Sequence, residues 1–284
     1  MAETILANMR FGLLGLIFVT ALVAESFWPL RNKTQPKAAR LVRNLSLAAV
    51  SMAFVRFAFL PFEIWAANFV TQGKFGIMNL ISMNAAIKVS VSLVFLEYTF
   101  YGWHYLNHKI PFFWRFHNVH HIDLDLDVST ASRFHFGELA FSSVFRVGQI
   151  FLIGIDVPTL LLFETLITSF ALFHHSNVRM PKRVDSFLAA FIMTPRLHSI
   201  HHSIVREETD SNYGTVFTIW DRVHRTLKVG IPQNEIVIGV PSYLNLKDQT
   251  FSKITFMPFE KPRDWKMPTG EVPCRKLSLV KGAQ

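Results

Sequence analysis

The feature that most constrains this chain is a series of apolar stretches as long as a bilayer is thick. A helix needs roughly 20 residues to cross the hydrocarbon core, and residues 5–24 form one such stretch, interrupted only by Arg10 near its outer end. No small-residue cleavage site follows it, and Glu25, Phe27, Trp28 and Pro29 make an interfacial stop, so it is expected to stay as a helix rather than leave as a signal peptide. Residues 45–62 give a second span, with Arg56 near one end where it must snorkel or pair. Residues 81–103 give a third. The apolar region 139–173 is too long for one crossing, and its Gly154-Ile155-Asp156-Val157-Pro158 break predicts a helical pair that goes down and back. The expected fold is an all-α integral membrane protein of about four transmembrane or re-entrant helices.

Composition agrees. Half of the 284 residues are hydrophobic and 17% are charged, whereas a soluble domain gives about a quarter of its residues to charge. This argues against an ordinary soluble enzyme and rules out a disordered or fibrous chain. The net charge of +9 lies beside apolar segments, which suits anionic headgroups better than nucleic acid. With Cys274 as the single cysteine, an internal disulfide and a cysteine-based zinc cluster are ruled out. Arg31, Lys33, Lys37, Arg40 and Arg43 crowd the loop after the first span, while the expected opposite loop, 63–80, offers only Lys74. The positive-inside rule makes the basic loop cytoplasmic. Counting crossings then puts His104, and everything from His174 onward, on the cytoplasmic side as a histidine-rich helical cap.

All 12 histidines lie between positions 104 and 224. His104 and His108 are one helical turn apart. His117, His120 and His121 form a His-x-x-His-His, and His198, His201 and His202 form a second. Positions i, i+3 and i+4 share one side of a helix, so each triplet is expected to aim its rings at a common point. Neutral imidazole is a nitrogen donor for first-row transition metals. Eight such rings exceed what one tetrahedral zinc takes; His135 and His175 extend the set to ten, enough for two ions. Single histidines are usually satisfied core or surface groups, and His174 and His224 keep that reading.

These motifs resemble the fatty acid hydroxylase/sterol desaturase superfamily of histidine-box membrane di-iron oxygenases. Tyr101-Gly-Trp-His104-Tyr-Leu-Asn-His108 and Phe113-Trp-Arg-Phe-His117-Asn-Val-His120-His121 are similar to its first two boxes. Arg133-Phe-His135-Phe-Gly-Glu138 and His175-Ser-Asn177 resemble two further elements. Pro195-Arg-Leu-His198-Ser-Ile-His201-His202, followed by Asp210-Ser-Asn212-Tyr213-Gly214 and Trp220-Asp221-Arg222, resembles the last box and its trailer. The chain departs from the family where Val223-His224-Arg225-Thr226 replaces the usual Phe-Gly-Thr after Trp-Asp-Arg. The resemblance covers about 95–230. It implies two iron ions, dioxygen as co-substrate and oxidation of a lipid. Nitrogen-rich ligation also suits zinc, which can substitute in preparations.

Hydroxylation of a fatty acyl, sterol or related C–H bond is the leading expectation. Desaturation and sterol methyl oxidation use the same centre, and a non-catalytic metal-binding membrane protein is the alternative from another class. No redox carrier is fused to the chain and no Gly-x-Gly-x-x-Gly loop is present, so a separate reductase or small redox protein is expected to supply electrons. Glu97, Tyr101, His104 and His108 share a helical stripe, and Glu97 is expected to accept a ring N–H from a ligand. Asn212 and Tyr213 are read as site or substrate-mouth residues, and Gly214 as the pivot of a close turn. Arg133 and Glu138 are expected to pair. Asp123, Asp125 and Asp127 lack the Gly and distal Glu of a calcium loop and are read as surface or cap contacts. Phe54, Phe57 and Phe59 are read as lipid-facing or core. Residues 1–103 are thus mainly transmembrane, 104–230 catalytic, and 231–284 an irregular tail within one membrane domain. A short amphipathic helix on the membrane is expected over 185–193.

Overall fold

A computed structural model describes residues 2–275. Among them every regular element is helical, and strand pairing is limited to the isolated bridges Pro29–Val178, Ile192–Phe217 and Ser203–Ile238. The long helices are α1 (Ala2–Phe27), α2 (Lys37–Ala58), α3 (Leu60–Gly73), α5 (Ala85–Lys109), α7 (Phe136–Ile153) and α8 (Val157–His175), with the single turn α4 (Ile77–Leu80) before α5. Among the described residues four helical stretches are long and apolar enough to cross a membrane: Met9–Phe27, Lys37–Ala58, Phe136–Ile153 and Val157–His175. The all-α membrane architecture is therefore as expected.

The break between α7 and α8 also falls where the sequence placed it. Gly154 ends α7 at φ +83°, and a Cβ there would sit 2.4 Å from the Phe75 carbonyl oxygen, so only glycine fits. Asp156 then caps α8 by accepting from the Thr159 N–H, with Pro158 in the first turn.

The second and third spans differ from expectation. α2 begins at Lys37 and ends at Ala58, and α3 starts at Leu60 with Pro61 in its first turn, so most of the expected loop 63–80 is helical. Its outward residues Phe62, Trp65 and Phe69 are exposed and its inward Ala66, Ala67 and Val70 are fully buried against Leu96, Ile150, Ile153, Leu160 and Phe163. Lipid tails are as apolar as these side chains, so close van der Waals packing through the small alanines, not exclusion from water, holds this cluster. Helices Leu60–Leu80 and Ala85–Lys109 together make a pair bent by 82°. α5 starts at Ala85, where Asn84 accepts from the Ile87 N–H, and runs on to Lys109, which puts His104 and His108 on its last turns.

Beyond the spans lie α6 (Pro111–His121), α9 (Lys182–Leu188), α10 (Pro195–His201), α11 (Arg206–Thr209), α12 (Ile219–Val223) and α13 (Phe251–Phe256). The surface helix expected over 185–193 is shifted toward the amino terminus, as α9. In the carboxy-terminal tail Val240, Tyr243, Ile254 and Met257 pack on Leu47 of α2 and on Val119 and Ile122. The three aspartates are not solvated. Asp123 accepts from Arg40 Nε and Nη2 at 3.0 and 2.8 Å and from Asn44 at 3.0 Å, while Asp127 takes the other Arg40 nitrogen. Burial alone would raise the Asp123 pKa, yet Arg40 and Arg133 hold it well below the usual carboxylate range. This buried pairing bolts α2 to the segment that follows α6.

Candidate metal centre

Nine histidines from four helices gather at one end of the bundle in two adjoining groups. His104, His108, His117, His121 and His201 form one; His120, His175, His198 and His202 form the other; within each group one ring nitrogen per residue lies within 4.8 Å of all the others. The triplets do not each converge on a common point, as expected from sequence. α6 gives His117 and His121 to the first group and His120 to the second, and α10 with its C-cap residue gives His201 to the first and His198 and His202 to the second. Positions i and i+4 stay on one face, whereas the third ring points to the neighbouring site. The groups share a wall, with the His121 and His202 rings stacked at 4.4 Å between centroids.

Hydrogen bonds set the tautomers. His104 Nδ1 lies 2.7 Å from the Tyr213 carbonyl, His201 Nδ1 2.7 Å from that of Ser211, and His175 Nδ1 2.8 Å from that of Ala171. A carbonyl oxygen only accepts, so these rings carry their proton on Nδ1 and turn a bare Nε2 inward. His117 Nδ1 makes the same kind of contact at 2.7 Å with a carboxylate oxygen of Glu138.

The inward nitrogens then face one another. His175 Nε2 is 3.0 Å from the Nε2 atoms of both His120 and His198, and the His117–His121 and His198–His202 pairs stand at 3.2 Å. Neither His108 nitrogen, nor Nε2 of His201, has a hydrogen-bond partner. Burial first, and neighbouring imidazoles second, push His120, His121, His198, His201 and His202 well below the ordinary histidine value of 6.5, so these rings are neutral. Crowded, buried, unprotonated nitrogens are costly unless a cation completes them. The donor set fits transition-metal ions.

The remaining candidates sort differently. His135 lies outside both groups: its Nδ1 accepts from the Gly137 N–H at 2.9 Å and its Nε2 faces the Thr255 carbonyl at 3.0 Å, so it caps α7. His174 bonds the Thr215 carbonyl through Nδ1, its ring 4.0 Å from that of His198, and serves as a wall of the second group. His224 stacks on Tyr101 at 5.1 Å, away from both.

Glu97 does not accept from a ligand. Seven residues of helix set it about 10 Å along the axis from His104, and its Oε1 accepts the Val216 and Phe217 N–H groups at 3.2 Å. Glu138 is the carboxylate that orients a histidine, and it does so without Arg133. That buried arginine donates instead to the Val119 carbonyl, Asn44 and Gln249. Asn212, at φ +53°, uses its amide to hold the Leu197 and Lys228 carbonyls and does not reach the histidines. The fully buried Tyr213 ring lies 5.1–5.6 Å from His104, His108 and His201, and its hydroxyl has no partner. Gly214 makes the close turn: a Cβ there would meet the Phe217 carbonyl at 2.6 Å. Asp221 carried no assignment from sequence, yet it accepts the Tyr213 and Gly214 N–H groups at 2.8 Å, and burial raises its pKa.

A bundle of membrane-length helices ending in two linked all-imidazole groups defines a class, membrane proteins with histidine clusters that could hold metal ions. The fatty acid hydroxylase family model matches residues 89–226. This region, which carries every histidine of both groups, belongs to that family and so to the fatty acid hydroxylase/sterol desaturase superfamily. The chain is 35% identical over 138 residues to the ornithine lipid hydroxylase OlsE of Rhizobium tropici, covering 49% of this chain and 41% of that protein. It is 27% identical over 162 residues to the alkylglycerol monooxygenase of Caenorhabditis elegans, covering 56% of this chain and 30% of that one. It is 24% identical over 163 residues to the cholesterol 25-hydroxylase of Rattus norvegicus, covering 57% and 53%. The match thus spans from under a third to about half of these relatives' lengths. No solved structure matches the chain.

Proposed function

We propose that this chain is a membrane-bound, dioxygen-dependent di-iron oxidoreductase that hydroxylates a C–H bond of a lipid at the cytoplasmic face. The observation that carries this reading is the pair of linked groups of crowded imidazoles, with their ring nitrogens within 4.8 Å of one another in each group. On this reading His104, His108, His117, His121 and His201 hold one iron and His120, His175, His198 and His202 the other. Iron so held supplies the one chemistry that amino-acid side chains lack, the use of dioxygen against an unactivated C–H bond.

The protein's part is binding, orientation and exclusion of water. Backbone carbonyls of Tyr213, Ser211 and Ala171, with the Glu138 carboxylate, hold four rings by Nδ1 and keep each Nε2 available. Glu97 ties the span to the Val216–Phe217 segment, and Asp221 ties Tyr213 and Gly214 back into the fold. Tyr213 presents a ring, and a hydroxyl free to donate, beside the first group. The lipid-hydroxylating and monooxygenase relatives support a lipid substrate, and the basic residues between α1 and the first turns of α2 support a cytoplasmic site. Electrons come from a separate reductase or small redox protein.

The test is to supply the iron-loaded protein with reductant, dioxygen and lipid extract, and to read products by mass spectrometry. Gain of one oxygen is expected. Loss of two hydrogens would replace hydroxylation by desaturation. Metal-replete protein that consumes no dioxygen under any lipid would leave a metal-binding protein without this activity.

A further inference from the structure

An apolar surface stands outside the bundle at the histidine end. Phe187 and Phe191, on and just after α9, are 67% and 60% exposed, with their rings 5.6 Å apart. Val184 beside them, and Phe217, Ile219 and Val223 on and next to α12, are exposed as well. The two stretches form one unit. Ile192 bridges Phe217, the Thr218 N–H donates to the Phe191 carbonyl at 3.0 Å, and Arg222 donates to the Ala189 carbonyl at 3.3 Å. Trp220 packs on Tyr98 at 4.8 Å, joining this surface to the outward face of α5, where Val94, Phe95 and Tyr98 are exposed.

Its charges are of one sign. Arg179, Lys182, Arg183, Arg222 and Arg225 are exposed, and none pairs with an acid among the described residues. The acids on these stretches are turned inward: Asp185 is buried and paired with Arg196, and Asp221 is buried under backbone amides.

We propose that residues 179–192 and 217–225 form an interfacial foot that seats in the headgroup layer of an anionic membrane. The phenylalanines enter the acyl boundary and the five cations contact lipid phosphates. Apolar insertion beside unopposed Lys and Arg is what an anionic lipid surface rewards. Continuity with the outward face of α5 sets the foot at the edge of the bilayer, not out in the water. The foot also adjoins the site, because the Thr215 carbonyl holds His174 and the Val216 and Phe217 amides hold Glu97. The proposal does not depend on the metal.

The test uses the full chain in vesicles, with Cys274→Ser to remove the native thiol and a fluorophore on Phe187→Cys or Phe191→Cys. Lys261→Cys is the water-facing control. In phosphatidylcholine–phosphatidylglycerol vesicles, probes at 187 and 191 are expected to be quenched by nitroxide lipid and shielded from aqueous iodide, with the reverse at 261. Lys182→Gln or Arg183→Gln is expected to lower insertion about fivefold, and only when phosphatidylglycerol is present. Iodide quenching at 187 and 191 equal to that at 261 would overturn the proposal. So would shielding from both quenchers, which would mean a protein covers the surface, and so would indifference to phosphatidylglycerol. A second measurement needs no substitution: tryptic cleavage after Lys182 and Arg183 is expected to be suppressed in anionic vesicles relative to detergent. Equal cleavage in the two would contradict the foot.

Discussion

His117 Nδ1 lies 2.7 Å from a carboxylate oxygen of Glu138, and both side chains are buried. The contact joins α6 to the first turn of α7 and leaves His117 Nε2 turned toward His121. A carboxylate behind a ligating histidine fixes its tautomer and raises its basicity. Glu138→Ala is therefore expected to weaken metal binding by about 10- to 100-fold. Metal retention against a graded chelator checks this, with membrane insertion unchanged. Glu138→Gln should fall between the two, since it can still accept the ring N–H.

Histidine substitutions should divide by place. His120→Ala and His201→Ala each remove a nitrogen from one group and are expected to lose metal and turnover with the protein still inserted. His224→Ala, at a ring that stacks outside both groups, should keep its metal. His135→Ala should keep its metal as well but cost about 1 kcal/mol as a lost helix cap. Metal content and thermal stability measured on the same four preparations separate these outcomes.

Acid should destabilise the metal-free protein. The folded-state pKa values of His120, His121, His198, His201 and His202 lie well below 6.5. Above that pH both folded and unfolded chains hold these rings neutral, and stability does not depend on them. As pH falls through 6.5 the unfolded chain takes up protons that the folded rings refuse, so stability is lost. Each ring contributes at most about 1.4 kcal/mol per pH unit, continuing down to its folded pKa. Denaturation in detergent across this range checks the slope, and bound metal should shift the loss to lower pH.

The Arg40–Asp123 pair should be worth more broken than whole. Both groups are fully buried, so Asp123→Ala strips Arg40 of its two-point partner, leaves it only Asp127, and is expected to cost about 3 kcal/mol. Arg40→Leu with Asp123→Leu and Asp127→Asn, which removes all three charges together, should be milder than Arg40→Leu alone, which strands two buried carboxylates. Unfolding of these variants in detergent reads the difference.

The sequence made the local features legible. The Gly154–Pro158 break and the apolar runs of α1, α7 and α8 depend on residues close in the chain, and they fall where expected. The histidine spacing likewise pointed to the right helices. What escaped depended on partners far away. Residues 63–80 read as a loop because their alanines looked unremarkable until packed against α7. Glu97 looked like a ligand's partner, because nothing in its neighbourhood reveals the Val216 and Phe217 amides more than 100 positions on. Arg133 and Glu138 are near in sequence but turn to different partners, Arg133 to the Val119 carbonyl, Asn44 and Gln249 and Glu138 to the His117 ring. The split of each His-x-x-His-His between two groups follows from how α6 and α10 are rotated against each other, which spacing alone does not encode.

X-ray absorption at the iron edge on protein purified with iron, combined with metal counting, reads the histidine groups themselves. Two irons per chain are expected, with first-neighbour scattering from nitrogen, the multiple-scattering pattern of imidazole, and loss of half that signal or more in His120→Ala. One iron or none per chain, or a first coordination sphere without imidazole, would contradict the di-iron assignment.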